Sequence, residues 1–233
     1  MPVYVRWETL MQNSNDSSGH MDPESVLARE DVIRHCIRMN EGGINQGTSG
    51  NISVRHHDGL LISPTSMPYQ DVEPEDVVFI DKNGKAHGRR EPSTEWLFHY
   101  DILMSRQDVN AVVHAHPTYS TILAVLGKQI PPFHYMIFVS GGNNIRCSPY
   151  ALYGTKKLSE LAVVALEGRK ACLLGHHGMI AIGSSLKQSL WRAIEVETLA
   201  RQYHGCLQLG EEPQLLSEKQ VEEVLRKTGE YGL

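Results

Sequence analysis

The chain of 233 residues is 41% hydrophobic and 21% charged, a balance that excludes wholesale disorder. Its 22 Lys and Arg against 27 Asp and Glu leave a formal charge of −5, so no basic excess marks a nucleic-acid partner. No apolar run approaches the ~20 residues of a membrane span.

Residues 1–21 read as a tail outside the folded part. Asn13 to Gly19 is polar and turn-rich, Ser18-Gly19-His20-Met21 looks like a cloning junction, and the basic start and apolar centre of a signal peptide are missing. From Asp22 the text reads as one domain running to Leu233. Asp22-Pro23-Glu24 opens a helix with a capping carboxylate and a proline in the first turn, and Gly42-Gly43 stops it. Short strands follow at Ile52–Arg55, Gly59–Ser63 and Val77–Ile80. Pro92-Ser93-Thr94-Glu95 opens a second helix, and Asn110–His116 is an apolar strand halted by Pro117. Helices are expected over Tyr119–Leu126, Thr155–Leu166, Ser189–Leu207 and Glu218–Lys227, with strands at Ala171–Leu174 and Met179–Ile182. Strands and helices mixed along one chain argue for a layered α/β or α+β domain.

Twelve histidines are unusual for this length. His114 and His116, at i and i+2 of a strand, point to one face roughly 6.6 Å apart along the backbone, so both imidazoles can reach one ion. Alone, such a pair also occurs as two polar residues at a strand end. His176-His177-Gly178 ends another apolar strand, and because neighbouring strand residues face opposite ways only one of the two can join the first pair. Three nitrogen donors at strand ends have the composition of an open catalytic zinc site. Glu95 is ambiguous, since Ser-Thr-Glu at a helix start is ordinary capping, yet a carboxylate there could also serve a metal as ligand or base. The loop Asn45–Asn51, with Thr48, Ser49 and Asn51, and the helix start at Ser93 and Thr94 could cradle a phosphate between them. The four cysteines, Cys36, Cys147, Cys172 and Cys206, form no CxxC pair and fit buried thiols in a reducing cytoplasm.

Taken in order, these pieces resemble the zinc-dependent class II sugar-phosphate aldolases of the aldolase/adducin type. The resemblance runs from about Leu27 to Leu233 and includes the Asn45–Asn51 loop, Pro92-Ser93-Thr94-Glu95-Trp96, Ala111–His116, His134-Tyr135-Met136-Ile137, Gly141-Gly142-Asn143 and the His176-His177-Gly178 turn. It implies a three-layer α/β/α sandwich with a mostly antiparallel central sheet, and a cytoplasmic homotetramer with active sites between subunits. By motif it implies one Zn²⁺ per subunit on His114, His116, His177 and Glu95, with Glu95 also the proton-transfer base. Thr48, Ser49, Asn51, Ser93 and Thr94 correspond to a phosphate cradle, and Tyr135 to an acid supplied by the neighbouring subunit. Tyr231 corresponds to a C-terminal tyrosine closing over the site, and Tyr153 stands where the family has phenylalanine near the aldehyde tail. The implied reaction is reversible cleavage of a ketose 1-phosphate, L-fuculose 1-phosphate, to dihydroxyacetone phosphate and L-lactaldehyde. Cleavage of 5-deoxyribulose or 5-methylthioribulose 1-phosphate is the nearest alternative. A pentulose-phosphate 4-epimerase and a methylthioribulose-1-phosphate dehydratase come next. A non-enzymatic binding module is disfavoured by the full set of zinc ligands.

Overall fold

Helix α1 (Pro23–Glu41) begins where Asp22 accepts a hydrogen bond from Ser25 N at 2.9 Å and Pro23 occupies the first turn. It ends at Gly42. The computed structural model describes residues 22–228, so the tail expected over 1–21 and the expected site residue Tyr231 lie outside the described residues. The remaining elements are β1 (Asn51–His56), β2 (Gly59–Ile62), β3 (Val78–Ile80), β4 (Ala86–His87), α2 (Trp96–Ser105), β5 (Ala111–Ala115) and α3 (Thr118–Val125). These are followed by β6 (Arg146–Ser148), α4 (Lys156–Ala165), β7 (Ala171–Leu174), β8 (Gly178–Gly183), α5 (Leu186–Gln208) and α6 (Glu218–Lys227).

The strands form one sheet in the order β4-β3-β2-β1-β5-β8-β7-β6. Every neighbouring pair is antiparallel except β6 with β7, so the sheet is mostly antiparallel as expected. Helices cover both faces. Leu61, Val113, Leu173 and Met179 pack with Val32 of α1, Leu123 of α3 and Val196 of α5. Their strand neighbours Leu60, Val112, Leu174 and Ile180 pack on the opposite face with Phe98 and Ile102 of α2 and Leu158 and Ala162 of α4. Because both faces are buried, β2, β5, β7 and β8 read in sequence as nearly continuous apolar runs, whereas β1 alternates polar with apolar residues.

Two short strands, β4 and β6, are absent from the sequence reading. With two and three residues, they are too short for any period to register. Helix α5 starts three residues earlier than expected, because Ser185 takes the cap and accepts from Gln188 N at 3.1 Å. Helix α3 has no cap of its own behind Pro117. Glu197 of α5 supplies one from across the core, accepting from Tyr119 N at 2.8 Å, Ser120 N at 2.9 Å and the Ser120 hydroxyl at 2.8 Å. That contact ties the end of β5, where His116 sits, to the longest helix. Among the described residues no helix is long and apolar enough to cross a membrane.

Candidate metal centre

The site forms where β1, β5 and α2 meet. Pairing sets Asn51 opposite His114 and Ser53 opposite Val112. Val112 belongs to the α2/α4 face, so the period-2 alternation places Asn51, Ser53 and His114 on that face too. Helix α2 lies over them, and its Phe98 meets the His114 ring edge-on at 5.2 Å between centroids. Glu95 is the N-cap residue of α2 (φ −103°, ψ 11°) rather than part of its first turn, and its side chain makes no capping hydrogen bond. The carboxylate is turned inward and is 5% exposed.

His177 comes in from the β7–β8 turn. Of the two adjacent histidines, His176 takes the left-handed conformation (φ 56°), and His177 is the one that joins the cluster. Gly178 makes the approach possible. A Cβ there would lie 2.5 Å from the Ala115 carbonyl oxygen and 2.6 Å from His116 Cδ2.

One donor atom each from Glu95, His114, His116 and His177 all lie within 4.8 Å of one another. His114 Nε2 is 2.9 Å from His116 Nε2 and 3.1 Å from Glu95 Oε2, and His177 Nε2 is 3.1 Å from Glu95 Oε1. His114 Nδ1 donates to the Met179 carbonyl at 2.9 Å. That bond puts the proton of a neutral His114 on Nδ1 and turns the Nε2 lone pair toward the cluster, the arrangement metal-ligating histidines adopt. Burial, then the charges of His114 and His177, lower the His116 pKa to about 3, which keeps it a neutral ligand. Burial alone pushes the Glu95 carboxyl up, but the His114 and His177 imidazoles outweigh it and keep Glu95 ionised. Yet Glu95 Oε1 is buried and makes no well-aligned hydrogen bond, although His177 Nε2 lies 3.1 Å away. A buried carboxylate facing three imidazoles, with no aligned donor on Oε1, is what a cation would satisfy. The residues therefore fit a metal ion, and three imidazoles with one carboxylate match the ligand types of zinc.

The other Glu95 oxygen is held. Oε2 accepts from Asn51 Nδ2 at 3.1 Å, Asn51 Oδ1 is 2.5 Å from His99 Nε2, and His99 Nδ1 is 2.7 Å from the Ser53 hydroxyl. Burial, followed by the charge of His114, lowers the His99 pKa to about 3. His99 and Ser53 are absent from the sequence-derived site. The signals available were the i, i+4 spacing of Glu95 and His99 and the i, i+2 spacing of Asn51 and Ser53.

The cluster lies at one side of a pocket of about 610 Å³, a size that suits a small-molecule ligand. Thr48, Ser49, Asn51, Ser93, Thr94, Glu95, His116, Tyr153 and His177 all line it. The structure also adds Thr65, Ser66, Tyr150 and Leu152 to this wall. The Ser49 hydroxyl is turned onto its own loop, donating to Gln46 O at 2.9 Å. Tyr135 is not part of this wall. Its side chain is 52% exposed and stacks beside His134 at 4.8 Å.

Residues 30–204 match the family described as class II aldolase and adducin N-terminal domain. The chain belongs to that family. A 5-methylthioribulose-1-phosphate/5-deoxyribulose-1-phosphate aldolase from Rhodospirillum rubrum is 50% identical over 212 residues, covering 91% of this chain and 96% of the relative. An L-fuculose phosphate aldolase from Escherichia coli K12 is 47% identical over 207 residues, covering 89% and 96%. A solved structure titled L-fuculose 1-phosphate aldolase superposes with a TM-score of 0.85 at 35% identity, covering 91% of this chain and all of that one. The protein is a class II aldolase, a metal-dependent carbon–carbon lyase, and its Glu and three His form a centre that can hold the metal.

Proposed function

We propose that this class II aldolase uses Zn²⁺, held by Glu95, His114, His116 and His177, to cleave a ketose 1-phosphate to dihydroxyacetone phosphate and a short aldehyde. The observation that carries the reading is the ionised Glu95, whose Oε1 is buried without an aligned hydrogen bond beside a 610 Å³ pocket. When bound, the ion supplies positive charge to set against the negative charge that grows beside a carbonyl as the carbon–carbon bond breaks.

The phosphate is anchored by Thr48, Ser49, Asn51, Ser93 and Thr94. Ser93 and Thr94 lead into the N-terminus of a ten-residue helix, whose dipole favours an anion. None of the wall residues is Lys or Arg, so hydroxyl and amide groups do the holding. Breaking the C3–C4 bond frees the O4 proton and leaves C3 one proton short. Tyr135 of a neighbouring subunit handles the proton leaving O4; the ionised Glu95 takes up one proton in exchange and returns it to C3, so the overall count is unchanged. The half-exposed Tyr135, outside its own chain's pocket, is consistent with a homotetramer whose sites lie between subunits. The enzyme works in the cytoplasm.

The aldehyde tail separates two readings. The sequence motifs point to L-fuculose 1-phosphate and L-lactaldehyde. The 50% relative and the lip formed by Tyr150, Leu152 and Tyr153 favour the less polar tails of 5-deoxyribulose and 5-methylthioribulose 1-phosphate. Discrimination by a methyl or methylthio group is worth about 1–3 kcal/mol, so the pocket accepts both classes at different rates. Product analysis with these three substrates tests the proposal. Release of dihydroxyacetone phosphate from at least one, abolished by a chelator and restored by zinc, is expected. A retained five-carbon chain means an epimerase or a dehydratase instead.

A further inference from the structure

From the buried chain Ser53–His99–Asn51–Glu95 we infer that His99 is a positioning residue: it fixes the Asn51 amide, which holds Glu95 Oε2 and so sets the orientation of the carboxylate that moves the proton. The inference rests on the aldolase reading above.

The sense of every bond in this chain follows from its end. Asn51 Nδ2 lies 3.1 Å from Glu95 Oε2 and donates to it, which sets which way round the amide sits. Asn51 Oδ1 then faces His99 Nε2 at 2.5 Å, and an amide oxygen only accepts, so Nε2 carries a proton. His99 is fully buried and faces no carboxylate directly, and the neutral ring leaves Nδ1 bare. The Ser53 hydroxyl, 2.7 Å away and also fully buried, donates to it. Each donor therefore points toward the carboxylate. Were His99 to carry its proton on Nδ1, Nε2 would become an acceptor. Asn51 would then turn over, and its oxygen would meet Glu95 Oε2 with charge against charge.

The consequence is an asymmetric carboxylate. Each oxygen faces one imidazole at 3.1 Å, Oε2 that of His114 and Oε1 that of His177, but only Oε2 is fixed by an amide donor, from Asn51. A symmetric carboxylate could rotate or swap oxygens and lose the alignment on which proton transfer depends. His99 neither lines the pocket nor belongs to the metal cluster, and its hydrogen bond toward Glu95 runs through Asn51. Outer partners of this type commonly cost about 10–100-fold when removed.

The test compares His99→Leu with His99→Gln in the full-length, zinc-loaded enzyme. Glutamine can place an amide N–H near the position of Nε2, and leucine cannot. His99→Leu should lower kcat about 10–100-fold with KM within about threefold and zinc per chain unchanged, while His99→Gln recovers most of the loss. Equal loss in both variants, or wild-type kcat in His99→Leu, overturns the inference. Because leucine could prevent folding, Ser53→Ala provides a second arm that removes a single oxygen. It should lower kcat about three- to tenfold, and unchanged kcat counts against the proposal. A third readout needs no turnover. Nitrogen NMR of histidine-labelled protein, with and without zinc, should find His99 protonated on Nε2 and bare on Nδ1, with the Nδ1 resonance moved in Ser53→Ala. The opposite tautomer, or an imidazolium, overturns it. If the wild-type enzyme cleaves no ketose 1-phosphate, the proposed function fails, and the NMR result still judges the hydrogen-bond chain on its own.

Discussion

Asp76 and Glu95 are both buried carboxylates, 1% and 5% exposed, and both stay ionised, but their surroundings differ in kind. Asp76 is saturated. Its Oδ1 accepts from Arg89 Nε and Arg90 Nε, each at 2.8 Å, and its Oδ2 accepts from Glu73 N at 3.0 Å. The Arg89 hydrogen bond outweighs burial and holds the Asp76 carboxyl well below the usual carboxylate range. Glu95 has one amide donor on Oε2, three imidazoles around it and no aligned hydrogen bond on Oε1, which faces His177 Nε2 at 3.1 Å. A carboxylate with donors on both oxygens stabilises the fold. One left short beside a pocket holds its charge in reserve for something that arrives, and that shortfall costs stability.

The sharpest way to break this contrast is Glu95→Gln. The amide keeps the shape and can still take the Asn51 hydrogen bond, but it cannot carry a proton to carbon. Turnover should fall about 10²–10⁴-fold. Metal content should persist and stability should shift by less than about 1 kcal/mol. Steady-state kinetics, metal analysis and urea unfolding on one preparation give all three. Near-normal turnover would return Glu95 to a role as helix start.

Asp76→Asn should do the reverse. It lies outside the pocket wall and the metal cluster, so kcat should be unchanged. Stability should fall by about 1–2 kcal/mol, at the lower end for a charge-assisted site because both arginines are about half exposed. Its pH dependence sharpens the point. The folded pKa of Asp76 lies below the unfolded value of about 4, so its contribution is complete above pH ~4 and is lost as pH falls through the folded pKa. The gap between wild type and Asp76→Asn, measured by urea unfolding, should therefore be full at pH 7 and narrow below pH 4. A gap independent of pH would mean that Asp76 works by shape rather than charge.

How far the sequence announces these differences depends on the range of the interaction. The His114–His116 pair is legible because a strand fixes i and i+2 on one face. The choice of His177 over His176 comes only from the family motif, because it hangs on a left-handed backbone at His176 that no spacing encodes. Glu95 stays ambiguous in sequence, since capping and catalysis select the same residue type at the same place. Only the absent capping bond separates them. His99 goes unread because it sits between Phe98 and Ile102, inside the apolar stripe of α2. Asn51 reads as part of a glycine-rich loop, and its pairing with His114 depends on a strand register about 60 residues apart in sequence. Helix positions fared better than the short edge strands because each helix carries several periods of its own pattern.

The smallest expected effect divides Asp76 from within. Arg90 contributes one 2.8 Å bond from a side chain about half exposed, whereas Arg89 reaches both Asp76 and, at 2.5 Å, Glu73. Replacing Arg90 by methionine keeps most of its apolar stem and removes the charge. Asp76 Oδ1 then still has Arg89, so no buried oxygen is stranded, and water can reach the vacated side. The loss should be at most about 0.5 kcal/mol, shrinking further in 1 M salt as the exposed pair is screened. Unfolding curves of Arg90→Met and wild type at low and high salt measure it. A loss equal to that of Asp76→Asn would mean that Arg90, rather than the saturated set as a whole, keeps this carboxylate buried.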